Sequence, residues 1–215
     1  MLMDSQLRRH VTHNARARSR RLIGAVLGIV LANVIATSAQ AASIFLPPGG
    51  FAPLVGTKSV WEPDLAGTVI RDQLLSFEIR NAAGALLYRA RLQDRVVRSA
   101  ATGKLHLYQR IRDAAPALPG RVTSIRSMDF GGWNTWVEYR IDGLGNVGPA
   151  NAVRSPALGT SIAFNMPAPG LGGGASSLFI LRKTTADHWA ATGVTIIQLV
   201  SGETVVIPGT AMPVP

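Results

Sequence analysis

Residues 73–99 read QLLSFEIRNAAGALLYRARLQDRVVRS. Two runs rich in β-formers, 73–80 and 85–99, flank Asn81-Ala82-Ala83-Gly84, and Gly84 is free to take the positive φ of a hairpin turn. Side chains swap faces at every residue of a strand, so Tyr88, Ala90 and Leu92 share one face and Arg89, Arg91 and Gln93 the other. An apolar face inward and an Arg-rich face outward is the pattern of a half-solvated antiparallel strand.

The same alternation returns downstream. In 105–112, Leu105, Leu107, Gln109 and Ile111 fall on one face, and His106, Tyr108, Arg110 and Arg112 on the other. In 136–141, Val137, Tyr139 and Ile141 oppose Trp136, Glu138 and Arg140. VTSIRSM, TSIAFNM, SSLFILRKT, GVTIIQLV and ETVVIP are further strand candidates, with Gly-containing turns such as SAATG (99–103) among them. Short strands at this spacing, with no convincing helix, predict an all-β fold, an antiparallel β-sandwich of jelly-roll or Ig-like kind. GVTIIQLVSGETVVIP, 193–208, is apolar on both faces. With Ser201-Gly202 as a two-residue turn, Ile197, Leu199 and Val206 share one face, and the hairpin belongs in the core. The organisation expected is a leader over 1–41, a Pro/Gly-rich extended arm over 42–67, the sandwich over 68–208 and a tail over 209–215. MPAPGLGGG (166–174) reads as a surface connection within the sandwich.

The leader carries Arg8, Arg9, Arg16, Arg18, Arg20 and Arg21 against Asp4, then an unbroken apolar run from Leu22 to Ala32. A positive start, a short apolar segment and small residues at Ala39 and Ala41 describe a secretory signal peptide cut after Ala41. The alternative is a retained inner-membrane anchor facing the periplasm, but a spanning helix needs about 20 mostly apolar residues. On this reading the membrane is touched only through an uncleaved leader, and the product is secreted or periplasmic. Cleavage changes the charge argument. The whole chain has a formal charge of +10, but residues 42–215 hold 16 basic and 11 acidic residues, a balance of +5. The bases form no run, so nucleic acid is not an expected partner. The chain has no Cys, which excludes disulfides, thiolate nucleophiles and Cys-held metals.

Gly143-Leu144-Gly145-Asn146-Val147-Gly148 matches G-x-G-x-x-G, but Pro149 follows and no acid lies between Asp142 and Asp187 to hold a ribose. These are turn glycines, and no cofactor is expected. His106 and His188 are the only histidines after the leader, and neither sits in a hydrolase or metal motif. No catalytic residue and no metal ligand is therefore assigned. Trp133, Trp136, Tyr108 and His106 are candidates for an aromatic platform on which a sugar face can stack. Glu138, between Trp136 and Arg140 on one strand face, is the best single carboxylate for a glycosidase pair. The candidate ligand-binding set is Trp136, Glu138, Arg140, Tyr108 and His106.

QDRVVRSAATGKLHLYQRIRD (93–113) and FGGWNTWVEYRIDGLGNVGPA (130–150) resemble passages of exported bacterial all-β proteins without an established activity. The resemblance implies export and a β-rich domain, and it transfers no functional residue. The expected function is an exported envelope or extracellular binding or structural protein. Its partner is expected to be a polysaccharide or another envelope protein; the alternative is a carbohydrate-active enzyme using a carboxylate pair. Mass spectrometry of the exported product should find Ala42 at its N-terminus; a product starting at Met1 would contradict the leader reading.

Overall fold

Gly84 adopts φ 83° at the tip of the first hairpin, where its N–H donates to the Asn81 carbonyl at 2.9 Å. The Asn81 side-chain oxygen accepts from Ala85 N at 2.9 Å and closes the turn. Strands β3 (Gly67–Arg80) and β4 (Leu86–Ser99) pair across it in antiparallel register, with Tyr88, Ala90 and Leu92 buried as the alternation requires. These elements belong to a computed structural model that describes residues 42–215. The leader and its Ala39 and Ala41 lie outside the described residues. Among the described residues no helix is long and apolar enough to cross a membrane.

The architecture is an all-β sandwich of two antiparallel six-stranded sheets. The remaining strands are β1 (Ile44–Phe45), β2 (Phe51–Pro53), β5 (Leu105–Arg112), β6 (Val122–Ser127), β7 (Thr135–Arg140), β8 (Asn151–Arg154), β9 (Ile162–Asn165), β10 (Phe179–Thr184), β11 (His188–Leu199) and β12 (Thr204–Val214). The first sheet runs β1-β7-β10-β5-β4-β3, the second β12-β11-β6-β9-β8-β2. Leu92, Ile111, Val137 and Ile180 of the first sheet share a buried cluster with Ile125, Phe164 and Ile197 of the second. Each such side chain contributes about 1.5–3 kcal/mol on burial, which lets the fold do without sulfur bridges.

Two expectations about position are corrected. The β11–β12 hairpin lies at the edge of its sheet, with Val200 62% and Val206 58% exposed. Its turn is one residue longer than two: Leu199 N donates to Glu203 O at 2.8 Å, and Ile197 stands opposite Val205. That single residue flips every β12 side chain, so Ile207 is buried and Val206 faces out. The outer face of β5 is the second correction. His106, Tyr108 and Arg110 are as buried as the inner residues, because the chain covers them.

The cover is the 42–67 stretch. It does not stand apart as an arm, for β1 pairs with β7 on one sheet and β2 with β8 on the other. Thr57 then bridges to Arg140, and the chain crosses β10 and β5 through a 3₁₀ turn (Pro63–Leu65) until Ala66 O meets Ala100 N at 2.9 Å. Leu65 of this strap packs in a separate cluster with Val97, Tyr108, Phe179 and Leu181. At the other terminus β12 continues to Val214, so residues 209–214 are sheet rather than tail.

Polar groups also lie between the sheets. Asp94 accepts from Arg71 Nε at 2.9 Å, Gln109 Nε2 at 3.0 Å and Ala211 N at 2.9 Å. Gln109 in turn reaches Thr195 at 2.9 Å, Ser127 at 3.0 Å and Arg182 at 2.9 Å. Burial pulls the Arg182 guanidinium down to about 10, with Asp94 opposing, so it stays charged at neutral pH. Asp94→Ala leaves Arg71 and Arg182 uncompensated and should cost about 3–5 kcal/mol in a denaturant titration. Glu78→Ala, which removes two exposed ion pairs, should leave the midpoint nearly unmoved.

Candidate functional site

Trp136, Glu138 and Arg140 point from β7 to the same outer face as His106 and Tyr108 of β5, across Lys183, Leu181 and Phe179 of β10. Cross-strand register puts Lys183 opposite both Trp136 and His106, and Leu181 opposite both Glu138 and Tyr108. The five sequence candidates therefore share one sheet face, and the strap separates them by exposure. His106 (1%), Tyr108 (3%) and Glu138 (0%) are buried, so the flat platform expected from Trp136, Tyr108 and His106 does not exist. Trp133 lies outside the strand, in a turn whose carbonyl accepts from Arg154 Nη2 at 2.8 Å.

Glu138 is a clamp on the strap. Its Oε1 accepts from Gly56 N and from Tyr139 N, each at 3.0 Å, and its Oε2 lies 3.4 Å from Val55 N. Burial pushes its carboxyl above the ordinary range and outweighs the pull of those backbone donors. Gly56 has no substitute at that contact: it holds φ +90°, and a Cβ there would meet Ile141 Cγ2 at 2.4 Å. Arg140 grips Asp142 through Nε at 2.6 Å and Nη2 at 2.8 Å, and Asp142 also accepts from Ser59 N and Oγ at 2.9 Å. Burial raises the Asp142 carboxyl, but the bonds from Arg140 and Ser59 prevail and hold it well below the usual range. Glu138 and Arg140 both hold the strap in place.

At the Trp136 end a cleft stays open beside the strap, lined chiefly by Asp64, Lys104, His106, Trp136, Lys183 and Thr185. Trp136 is half-buried and meets Phe45, 46% exposed, with ring centroids 5.3 Å apart and planes tilted by 54°. Lys183 pairs with Asp64 at 2.7 Å and with Glu62, whose carboxylate also takes Ser43 N at 3.0 Å. His106 is among the lining residues, and its Nδ1 is buried without a hydrogen-bond partner. The sequence candidates Trp136 and His106 line this cleft; Phe45, Asp64, Lys104 and Lys183 were missed. The alternation of Phe179, Leu181 and Lys183 with Ile180 and Arg182 gave one cation to each face, so it could not orient β10.

The glycines of the G-x-G-x-x-G match form a loop against residues 176–178, where Asn146 N donates to Ser176 O at 2.9 Å. Among the described residues no three His, Asp or Glu gather as a metal site. Compared with known families, curated proteins and solved structures, the chain finds no match.

Burial lowers the His106 pKa to about 4, against a smaller upward pull from Asp64, so the folded ring stays neutral at pH 7. The unfolded ring protonates near 6.5, so between pH 6.5 and 4 the unfolded state binds the extra proton. Stability should therefore fall by on the order of 3 kcal/mol as pH drops through that window. Denaturant midpoints should show this loss in the wild type and its absence in His106→Gln.

Proposed function

We propose that the chain is exported through its cleaved leader and serves outside the cytoplasm as a non-catalytic saccharide-binding module, with Trp136 as the stacking surface. The observation carrying this reading is the partly exposed Trp136–Phe45 pair beside a largely apolar cleft edged by Asp64, Lys104 and Lys183. An aromatic face takes the C–H face of a sugar ring, while Asp64, Lys104, Lys183 and Thr185 are placed to exchange hydrogen bonds with its hydroxyls. Ion pairing between Lys183 and Asp64 holds those polar ends in fixed positions, which lowers the cost of ordering them on binding.

The cleft lining offers one carboxylate, Asp64, already paired with a lysine. Glycoside hydrolysis by the usual route needs two, about 5–9.5 Å apart. Glu138, the other candidate, has no exposure and spends its oxygens on backbone amides. Binding is therefore the reading these side chains favour over hydrolysis.

A glycan array probed with the exported domain should show saccharide binders. Trp136→Ala and Phe45→Ala should each weaken them about tenfold or more, with thermal unfolding as the control for folding. An array with no binders, or binding that survives both substitutions, removes the saccharide reading.

A further inference from the structure

A second cleft opens beside the strap at the Arg140 end of the same face. Its principal lining residues are Arg95, Tyr108, Arg140, Asp142, Leu144 and Phe179. It encloses about 200 Å³, below the roughly 300–1,000 Å³ of sites for drug-sized ligands, so it has room for one ring and not for a dinucleotide. The floor is Phe179, buried, with the Arg95 guanidinium carbon 4.8 Å and the Arg110 guanidinium carbon 4.9 Å from its ring centroid. Tyr108 meets Phe179 edge-on at 6.1 Å, and Arg140 lies 5.9 Å from the Tyr108 ring. Stacking of this kind fixes a guanidinium plane while leaving its N–H edge available to an oxyanion.

The donors are not all used within the protein. Arg95, its side chain 28% exposed, gives Nη2 to Asp72 at 2.6 Å. The Tyr108 hydroxyl lies at a long 3.4 Å from Arg140 Nη1, which leaves its own proton to be donated elsewhere. Arg95 and Arg140 line the cleft and Arg110 stands beside its floor; with Arg91 and Arg112 these five guanidinium groups face three carboxylates, Asp72, Asp113 and Asp142. Positive charge is left over. The crowding of cations is visible at Arg110, which is pulled below its ordinary pKa by burial and then by Arg112 and Arg95.

We propose that this cleft is an anion site that takes the carboxylate of a single acidic sugar ring, a uronate, with Arg95 and Tyr108 donating to it. The carboxylate supplies the missing negative charge and two in-plane acceptors for the guanidinium edge, while Leu144 and Val97 give the ring an apolar wall. The proposal does not rest on the Trp136 cleft.

Calorimetric titration of the full chain with sodium D-glucuronate tests it. One saturable site is expected, with Kd on the order of 1 mM for so small a ligand. D-Glucose, which has the ring without the carboxylate, should bind at least about tenfold more weakly. Arg95→Gln should weaken glucuronate by a similar factor; the substitution spares Asp72, which keeps its 2.7 Å bond from Gln93. Gly143→Val tests the space without touching a charge. A Cβ at Gly143 meets Phe179 Cδ2 at 3.5 Å and Arg140 Cβ at 3.6 Å, ordinary contacts, so a side chain can start there at the cleft that Gly143 lines, with thermal unfolding as the control for folding. Glucuronate binding should be lost in that variant and unchanged in Trp136→Ala. Equal affinity for glucose, tighter binding of inorganic phosphate than of glucuronate, or binding that survives both Arg95→Gln and Gly143→Val overturns the proposal. So does loss of glucuronate binding in Trp136→Ala, which would place the ligand in the other cleft.

Discussion

A carboxylate with no exposure, Glu138, reaches out of β7 to the backbone amides of Val55 and Gly56, some eighty positions earlier in the chain. That bond pattern holds one end of the strap. Leu65 anchors the other by filling a gap among Val97, Tyr108, Phe179 and Leu181. Between them, Glu62 joins Ser43 and Thr57 of the same segment to Lys183 of the sheet. Without the strap the outer face of the first sheet would be a solvated lattice of Arg, His and Tyr. With it, the middle of that face becomes interior, and what is left to solvent is divided into two clefts of different chemistry.

The division follows from which side chains the strap can satisfy. Its own acids, Glu62 and Asp64, neutralise Lys183 and leave the Trp136 end fixed and edged by aromatic carbon. At the opposite end the strap contributes Ser59, a neutral donor that turns Asp142 toward Arg140. No strap acid bonds Arg95 or Arg110; Arg95 pairs with Asp72, and Arg110 donates to the side-chain oxygen of Gln93, a neutral acceptor. A single crossing segment thus produces a balanced cleft and a positively biased one from the same row of strands.

Much of the sheet structure was readable. Period-two alternation oriented β4, β5 and β7 correctly, and Gly84 marked the hairpin turn, because both depend on neighbours in sequence. Burial was not readable where it depends on a distant segment. PLVGTKSVWEPDL, residues 53–65, has no periodicity and reads as a loop, yet its Leu65 and Gly56 decide that Tyr108 and Glu138 are interior. The β11–β12 register failed for a smaller reason: a three-residue connection and a two-residue one look alike in Val200-Ser201-Gly202, and the difference inverts a face. Of the proposed binding residues, Trp136 could be found as an aromatic on an outer strand face. Phe45 could not, since its own strand, β1, is a two-residue edge that only pairing with β7 creates.

The polar groups between the sheets address a problem that hydrophobic packing leaves open. Apolar contacts are non-directional, so two sheets lined with Val, Ile and Leu can slide by a residue at little cost. Asp94 cannot slide. It must keep Arg71 of β3, Gln109 of β5 and the Ala211 amide of β12, and Gln109 must keep Ser127 of β6 and Thr195 of β11. A one-residue shift of either sheet would orphan several buried donors at about 1–3 kcal/mol each. Arg71 faces the interior in unbroken alternation with Leu75, Phe77 and Ile79, opposite Val96, and there it also donates to Gly209 O at 2.7 Å. The same inward charge blunts β3, the long edge strand of its sheet, against pairing with another chain. The network fixes the relative position of the sheets, and with it the spacing of the rows on which both clefts are built.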